Sequence, residues 1–517
     1  MMDIKCNKSR ALLLSIGGAA CLTSCGSQPK MEEKAPNIVF ILADDMGYGD
    51  VSFLNDSSKI QTTNIDRLAR EGAYCTDAHS SSAVSTPTRY GILTGRYNWR
   101  SELKSGVLWG YSPALIPESR STMASVLRKA GYETGCIGKW HLGWSWNNVE
   151  AGKDSVDFSK PITHGPTSVG FDYFYGIAGS LDMTPYVYVE NEMPTSLPDR
   201  VTSDTGMRFW REGPTGADFD HEQTLPNFIK RAEDFIAQKA QGDKPFFLYL
   251  PLPAPHTPIL PIKEFQGKSG LNPYGDFVLM VDAMVGRVAE ALDKAGISEN
   301  TILVFTTDNG CSPQARYEEL LPKGHNPSYI YRGHKADLYE GGHRVPCVVR
   351  WPAKIKHHAI DQTICLTDFM RTFSALAGVR LTDKEGEDSY DLSPALLNEK
   401  PQPVIREATV HHSIDGDFTI RKGDWKLLLA AGSGGWSYPT QDDLAKMSDY
   451  PKFQLYNLAD DPGETTNVCA QHPEVVKELK DLMSKYIKDG RSTPGAPVAN
   501  DGDGAWSQLA YWMDNVF

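Results

Sequence analysis

Two stretches constrain this chain more than any others. Residues 37–43 read Asn-Ile-Val-Phe-Ile-Leu-Ala, and residues 301–307 read Thr-Ile-Leu-Val-Phe-Thr-Thr. Both are apolar almost throughout and lack the alternation of a half-solvated strand. Each therefore predicts a strand buried on both faces, as in a parallel sheet. Each also runs straight into oxygen-bearing side chains, Asp44-Asp45 after the first and Asp308-Asn309 after the second. The carboxyl ends of parallel strands are where an α/β sheet presents a ligand site. Either pair alone reads as a turn or a helix cap. Two pairs, each directly after a core strand, read as one cluster of hard oxygen donors. Such a set suits Ca²⁺ or Mg²⁺ rather than Zn²⁺.

The surrounding pattern fits the same sheet. Further strands are expected at residues 73–78, 132–138, 245–250 and 345–351. Helices are expected at 62–71, 122–130, 226–239, 276–294 and 363–377. This alternation predicts an α/β fold, a mostly parallel central sheet flanked by helices. Residues 144–220, rich in Gly, Pro, Asp and aromatics, read as long loops over the ligand-bearing face. Beyond about residue 400 the rhythm shortens. Residues 404–412, 418–421 and 425–429 read as hairpin strands around the turn Lys422-Gly423-Asp424, and 473–488 as an amphipathic helix. The expected division is a main domain over 36–400 and a smaller subdomain, an antiparallel sheet plus helix, over 401–517.

The N-terminus carries its own signal. Lys5, Lys8 and Arg10 precede an apolar run over residues 11–22, too short to span a bilayer, followed by Thr23-Ser24-Cys25. This reads as an export signal over 1–24 whose end resembles a bacterial lipobox. Cys25 would then be lipidated, and 25–35 would be a tether. An ordinary secretory signal cut near Ser24 is the alternative. The expected location is an exported lipoprotein, periplasmic or anchored at the outer membrane or cell surface. Cys75, Cys136, Cys311, Cys347, Cys365 and Cys469 show no CxxC pair and no zinc spacing. Export permits disulfides, but sequence does not pair them. The formal net charge of -13 argues against non-specific nucleic-acid binding. A local basic pocket for an anion remains compatible with it.

Residues 85–95 read Ser-Thr-Pro-Thr-Arg-Tyr-Gly-Ile-Leu-Thr-Gly, that is, Ser-x-Pro-x-Arg-x-x-x-Leu-Thr-Gly. Ser-Thr-Pro-Thr suits a helix start. A helix from there to Gly95 puts Arg89 one turn beyond Ser85, on the same side. Lys139-Trp140-His141 follows the strand expected at 132–138. His256 ends Pro253-Ala254-Pro255-His256, and Lys335 ends Gly333-His334-Lys335. Cations beside the acidic pairs would hold an anion, and histidine supplies proton transfer near neutral pH.

The eleven-residue string resembles the signature of type I sulfatases, of the arylsulfatase and N-acetylgalactosamine-6-sulfatase group, and the likeness covers roughly residues 36 to 490. The resemblance implies an alkaline-phosphatase-like α/β fold and hydrolysis of sulfate esters. It implies that Ser85 is oxidised after translation to formylglycine, whose hydrated aldehyde is the nucleophile. It implies one calcium held by Asp44, Asp45, Asp308 and Asn309, with residue 85 completing the set. Arg89 would steady the hydrated aldehyde, and Lys139 and Lys335 would contact the sulfate. Asp308 would accept the proton of the attacking hydroxyl, and His256 would protonate the departing alcohol. His141 would deprotonate the second hydroxyl, so that sulfate is expelled. A Ser at this position, in place of Cys, implies an anaerobic radical-type maturing enzyme as partner.

The run Ser180-Leu181-Asp182-Met183-Thr184-Pro185-Tyr186-Val187-Tyr188 resembles that of bacterial sulfatases acting on 6-sulfated galactose or N-acetylgalactosamine. It implies exo action on such sugars in host or algal glycans, with Asp182 and His221 at the axial O4; Asp220 and Arg211 are weaker candidates. Other glycan specificities compete with this reading. So does phosphomonoester or phosphonate hydrolysis on the same fold, whose members use two zinc ions and several His ligands. A glycan-binding lipoprotein without activity would be expected to have lost some ligands, and here none is missing.

Overall fold

The structure is a computed structural model that describes residues 34–149, 155–502 and 506–513. The expected signal segment 1–24, Cys25 and nearly all of the tether 25–35 lie outside the described residues. No helix among the described residues is long and apolar enough to cross a membrane.

Asn37–Asp44 lies at the centre of a ten-stranded sheet. It pairs in parallel with Thr301–Thr307 on one side and with Phe246–Pro255 on the other. Glu133–Lys139 and then Tyr173–Ile177 extend the parallel run. On the opposite flank Cys347–Arg350 runs antiparallel, followed by Ala73–Cys75 and the edge strand His358–Ile360. Side chains of the central strand alternate between two cores. Ile38, Phe40 and Leu42 pack with Phe369 and Phe373 on one face. Val39, Ile41 and Ala43 pack with Phe277, Val281 and Val285 of the helix Pro273–Lys294 on the other. Helices cover both faces, which is why the strand is apolar from Ile38 to Ala43. Fully burying each such side chain contributes roughly 1.5–3 kcal/mol. The ladder pairs Ala43 with Thr307, so both acidic pairs emerge at the same sheet edge.

A second sheet of four antiparallel strands follows: Thr409–His412, Phe418–Lys422, Trp425–Leu428 and Gln454–Asn457. The helix Pro473–Lys488 packs Leu479, Met483 and Tyr486 against Val410, Ile420 and Leu427 of this sheet.

Several expected elements differ from those observed. The strand expected at 73–78 is split into Ala73–Cys75, in the ten-stranded sheet, and Ala78–His79, which pairs with Ile364–Cys365 in a separate small sheet. The strand expected at 404–412 is confined to Thr409–His412. Before it, Ile405 N–H donates to the Gln362 side chain, and Arg406 is drawn to Asp368. The helix expected at 363–377 covers only Phe369–Leu376. Asp368 accepts the backbone N–H groups of Cys365 and Tyr390, which holds the chain in a tight turn first. Residues 144–220 are more than loops. They supply the strand Tyr173–Ile177 and the hairpin of Pro198–Asp204 with Trp210–Gly216. The six described cysteines are free thiols, five of them buried.

Candidate active site

The two acidic pairs interlock. Asp308 N–H donates to the Ala43 carbonyl at 3.1 Å. Asp45 N–H donates to Asp308 Oδ1 at 3.2 Å. Asp45 itself adopts a left-handed backbone (φ 63°), which swings its carboxylate back over the strand ends. Asn309 Nδ2 donates to Asp45 Oδ1 at 2.7 Å and to the Gly310 carbonyl at 2.9 Å. Only the amide nitrogen can face a carbonyl, so the Asn309 orientation is settled. Its Oδ1 is buried without a hydrogen-bond partner.

Ser85 opens the helix Ser85–Thr94, which is buried along its whole length. Gly95, in the left-handed region (φ 61°), ends it. Ser85 Oγ donates to Asp44 Oδ1 at 3.2 Å. Arg89, one turn on, donates Nε and Nη2 to Asp308 Oδ2 (3.2 and 2.8 Å) and Nη1 to the Lys139 carbonyl (3.1 Å). Lys139 Nζ lies 2.6 Å from Asp44 Oδ2 and 3.4 Å from Ser85 Oγ. Lys335 Nζ lies 2.8 Å from Asp45 Oδ2, and His256 Nε2 lies 3.6 Å from the same oxygen.

The charges here are buried, and buried charges persist only when paired. Burial works against ionisation of Asp44, yet Lys139, His256 and Arg89 bring its pKa down to about 2. Burial lowers the Lys139 pKa, with Asp44 opposing. Burial also works against the Lys335 ammonium, but Asp45 and Asp44 outweigh it and raise that pKa. The donor set fits a hard cation. Asp44, Asp45 and Asp308 supply carboxylate oxygens, and the unpartnered Asn309 Oδ1 is an acceptor held in place with nothing to accept from.

His141 has one ring nitrogen bonded and the other free. Its Nε2 lies 2.7 Å from the Leu108 carbonyl and must carry the hydrogen. Its Nδ1 is buried without a partner. Burial, reinforced by Lys139 and Arg89, holds the ring well below the usual histidine range, so it is neutral with a free lone pair on Nδ1. His256 differs: its Nδ1 faces the Thr257 carbonyl, which leaves Nε2 toward the acidic cluster.

A cavity of about 510 Å³ opens over Ser85, with His141, His256, Lys335, Asp182 and Arg211 in its wall. Arg211 Nη1 holds Asp182 Oδ2 at 2.6 Å, while Asp182 Oδ1 is buried without a partner. His221 is not in this wall. It stacks on Trp210 (3.9 Å between centroids, 13° between planes) and meets Tyr186 edge-on at 4.5 Å. Burial brings its pKa down to about 3. Asp220 is not in the wall either; it accepts the backbone N–H groups of Glu222 and Gln223 ahead of the helix Thr224–Lys239. The structure thus gathers Ser85, Arg89, Lys139, Lys335, His141, His256 and both acidic pairs. Of the sugar candidates it places Asp182 and Arg211 in the wall.

Sequence reasoning missed Trp109, Gln314 and Trp436, which also line the cavity. Trp436 follows the run Gly432-Ser433-Gly434-Gly435 and is pinned by Asp337, whose Oδ1 accepts its N–H at 2.8 Å. An aromatic residue in an otherwise small-residue loop was the available signal.

Residues 36–379 match the Sulfatase family model. The chain is 36% identical to N-acetylgalactosamine-6-O-sulfatase of Bacteroides thetaiotaomicron, across 92% of this chain and 98% of the relative. It is 32% identical to arylsulfatase A of Homo sapiens, across 87% of each. A solved structure from a study of glycosaminoglycan metabolism by Bacteroides thetaiotaomicron superposes with a TM-score of 0.77 at 34% identity, covering 88% of this chain and 99% of that one. With its mostly parallel alkaline-phosphatase-like sheet and small C-terminal antiparallel sheet, the chain belongs to the sulfatase family and is a sulfuric ester hydrolase.

Proposed function

We propose that this sulfatase removes 6-O-sulfate from terminal galactose or N-acetylgalactosamine of glycans, by way of formylglycine made from Ser85. The observation that carries the reading is Ser85 in the wall of a 510 Å³ cavity, bonded to Asp44 and beside Lys139, with Arg89 3.5 Å from the same Asp44 oxygen. The galacto assignment rests on the name of the Bacteroides thetaiotaomicron relative and on the unpartnered Asp182 oxygen in the cavity wall.

Asp44, Asp45, Asp308 and Asn309, with residue 85 completing the set, are the residues that would hold calcium. Bound there, it would supply positive charge beside the sulfate oxygens. Once Ser85 is oxidised, the hydrated aldehyde supplies the oxygen nucleophile. The chain's own side chains do the rest. Lys139 and Lys335 hold sulfate oxygens from two sides and offset the charge that develops on them. Arg89 fixes Asp308 and the first turn that carries residue 85. Asp308 takes the proton of the attacking hydroxyl. His256, through Nε2, protonates the departing sugar oxygen. His141, neutral and with Nδ1 free, takes the proton of the remaining hydroxyl, and sulfate leaves.

In this reading an anaerobic maturing enzyme oxidises Ser85, and Cys25 anchors the exported protein through lipid at the periplasmic or outer surface. The test is sulfate release by matured protein from 6-O-sulfated sugars of galacto and gluco configuration. Release from galacto sugars with little from gluco sugars is expected. Equal release from both overturns the specificity.

A further inference from the structure

The chain has eleven tryptophans, and all eleven are described. Eight are buried, and Trp425 is half-buried against His472. The remaining two are exposed, Trp109 at 50% and Trp436 at 41%. Both line the cavity over Ser85. They reach it from distant parts of the chain. Trp109 sits in a loop after the helix that carries Ser85, its N–H bonded to Ser112 Oγ at 2.8 Å. Trp436 comes from the loop between the strands Trp425–Leu428 and Gln454–Asn457 of the C-terminal sheet, its backbone N–H bonded to Asp337 at 2.8 Å. Each ring lies beside a cation of the site. The Arg211 guanidinium is 4.8 Å from the Trp109 ring centroid, and the Lys335 ammonium is 6.0 Å from that of Trp436.

A large apolar ring left in water forfeits burial energy. Two such rings, fixed by their backbones at one cavity, mark a surface that is covered when the site is full. The occupant's chemistry follows from the wall. Lys335, Arg211, His256 and Asp182 give the wall groups suited to the sulfate and hydroxyl groups of one sugar. Val107, Phe209 and Ile414 add apolar lining to that of the two tryptophans. An indole face takes the C–H face of a pyranose, whose polarised hydrogens meet the ring's negative quadrupole.

We propose that Trp109 and Trp436 form an aromatic clamp for the second sugar of the chain, the one joined to the sulfated sugar. The clamp deepens the glycan reading and rests on it. It makes the enzyme an oligosaccharide sulfatase whose C-terminal sheet takes part in substrate selection.

The experiment compares matured wild type, Trp109→Ala, Trp436→Ala and the two Trp→Phe variants. The substrates are a 6-O-sulfated monosaccharide, the matching sulfated tetrasaccharide and a sulfated aryl ester. Wild type is expected to prefer the tetrasaccharide in kcat/KM. Each Ala variant should lose about tenfold of that preference through KM, the effect of roughly 1.4 kcal/mol of lost contact. The Phe variants should recover most of it. Equal loss on mono- and tetrasaccharide, or no wild-type preference, overturns the clamp and leaves the glycan reading standing. Activity on the aryl ester alone overturns both.

Discussion

Ser85 Oγ is held between the Asp44 carboxylate and the Lys139 ammonium, so its role is separable from its contribution to the fold. Ser85→Ala should abolish sulfate release yet cost only about 1 kcal/mol of stability, the net value of one hydrogen bond; a denaturant melt beside the assay checks both. Arg89 is the opposite case. Its guanidinium is fully buried and makes a two-pronged contact with Asp308. Arg89→Ala leaves Asp308 and Asp44 short of a partner and should cost about 3–5 kcal/mol in the same melt, besides losing activity. Lysine lacks the fork, so Arg89→Lys should rescue neither fully. These residues were legible because each stands in a short string directly after a strand or at a helix start. His221 and Trp436 were not. The environment of His221 depends on Trp210 and Tyr186 folding over it. Trp436 reaches the cavity only because Asp337, about a hundred residues earlier, pins its loop.

The strands place the chemistry, and two of their features carry tests. Gly138 precedes Lys139 with φ 136°, and a Cβ there would meet the Pro251 carbonyl oxygen at 1.9 Å. Gly138→Ala should therefore shift Lys139, cost at least about 1–3 kcal/mol of backbone strain and depress kcat. Unchanged melting and turnover would contradict the register. The second feature is the seam between the segment Ala78–His79 and the strand Thr409–His412. His343 and His411 stack there at 3.9 Å, and His79 Nδ1 lies 3.0 Å from His343 Nδ1. Burial lowers the pKa of all three, and brings that of the adjacent His412 to about 4. The unfolded chain thus binds more protons than the fold once pH drops below about 6.5. Stability should fall as pH falls from there to about 4, His412 alone contributing on the order of 3 kcal/mol. Glu464, raised to about 7 by burial and Glu340, takes up a proton in the fold over this range and offsets one histidine. Melting temperature followed from pH 7 to 4 checks it; a flat profile contradicts the buried neutral histidines. The central strands were legible because both faces are buried. The hairpin of Pro198–Asp204 was not, because most of its residues are exposed and it shows no two-residue period. Tyr173–Ile177 was hidden by Gly176, where a Cβ would strike the Gly138 carbonyl at 1.9 Å.

At the scale of the molecule, a chain of net charge -13 concentrates Arg89, Lys139 and Lys335 around one cavity. The overall sign is thus no guide to the ligand. The α/β architecture and the smaller antiparallel sheet were readable from strand length and helix alternation. The joint cavity of the two sheets was not, since it arises only where their loops meet. If a hard cation is bound by the acidic pairs, chelation should lower the melting temperature and added Ca²⁺ should restore it, by about 2.7 kcal/mol at a hundredfold excess over Kd. A melt indifferent to chelator and Ca²⁺ would count against that site. The central claim, that Ser85 becomes the aldehyde that cleaves the sulfate ester, is tested most directly by the mass of the Ser85 peptide from protein that releases sulfate. The peptide should be lighter than its sequence by about 2 Da, the loss of two hydrogens. An unmodified peptide from fully active protein would contradict the account.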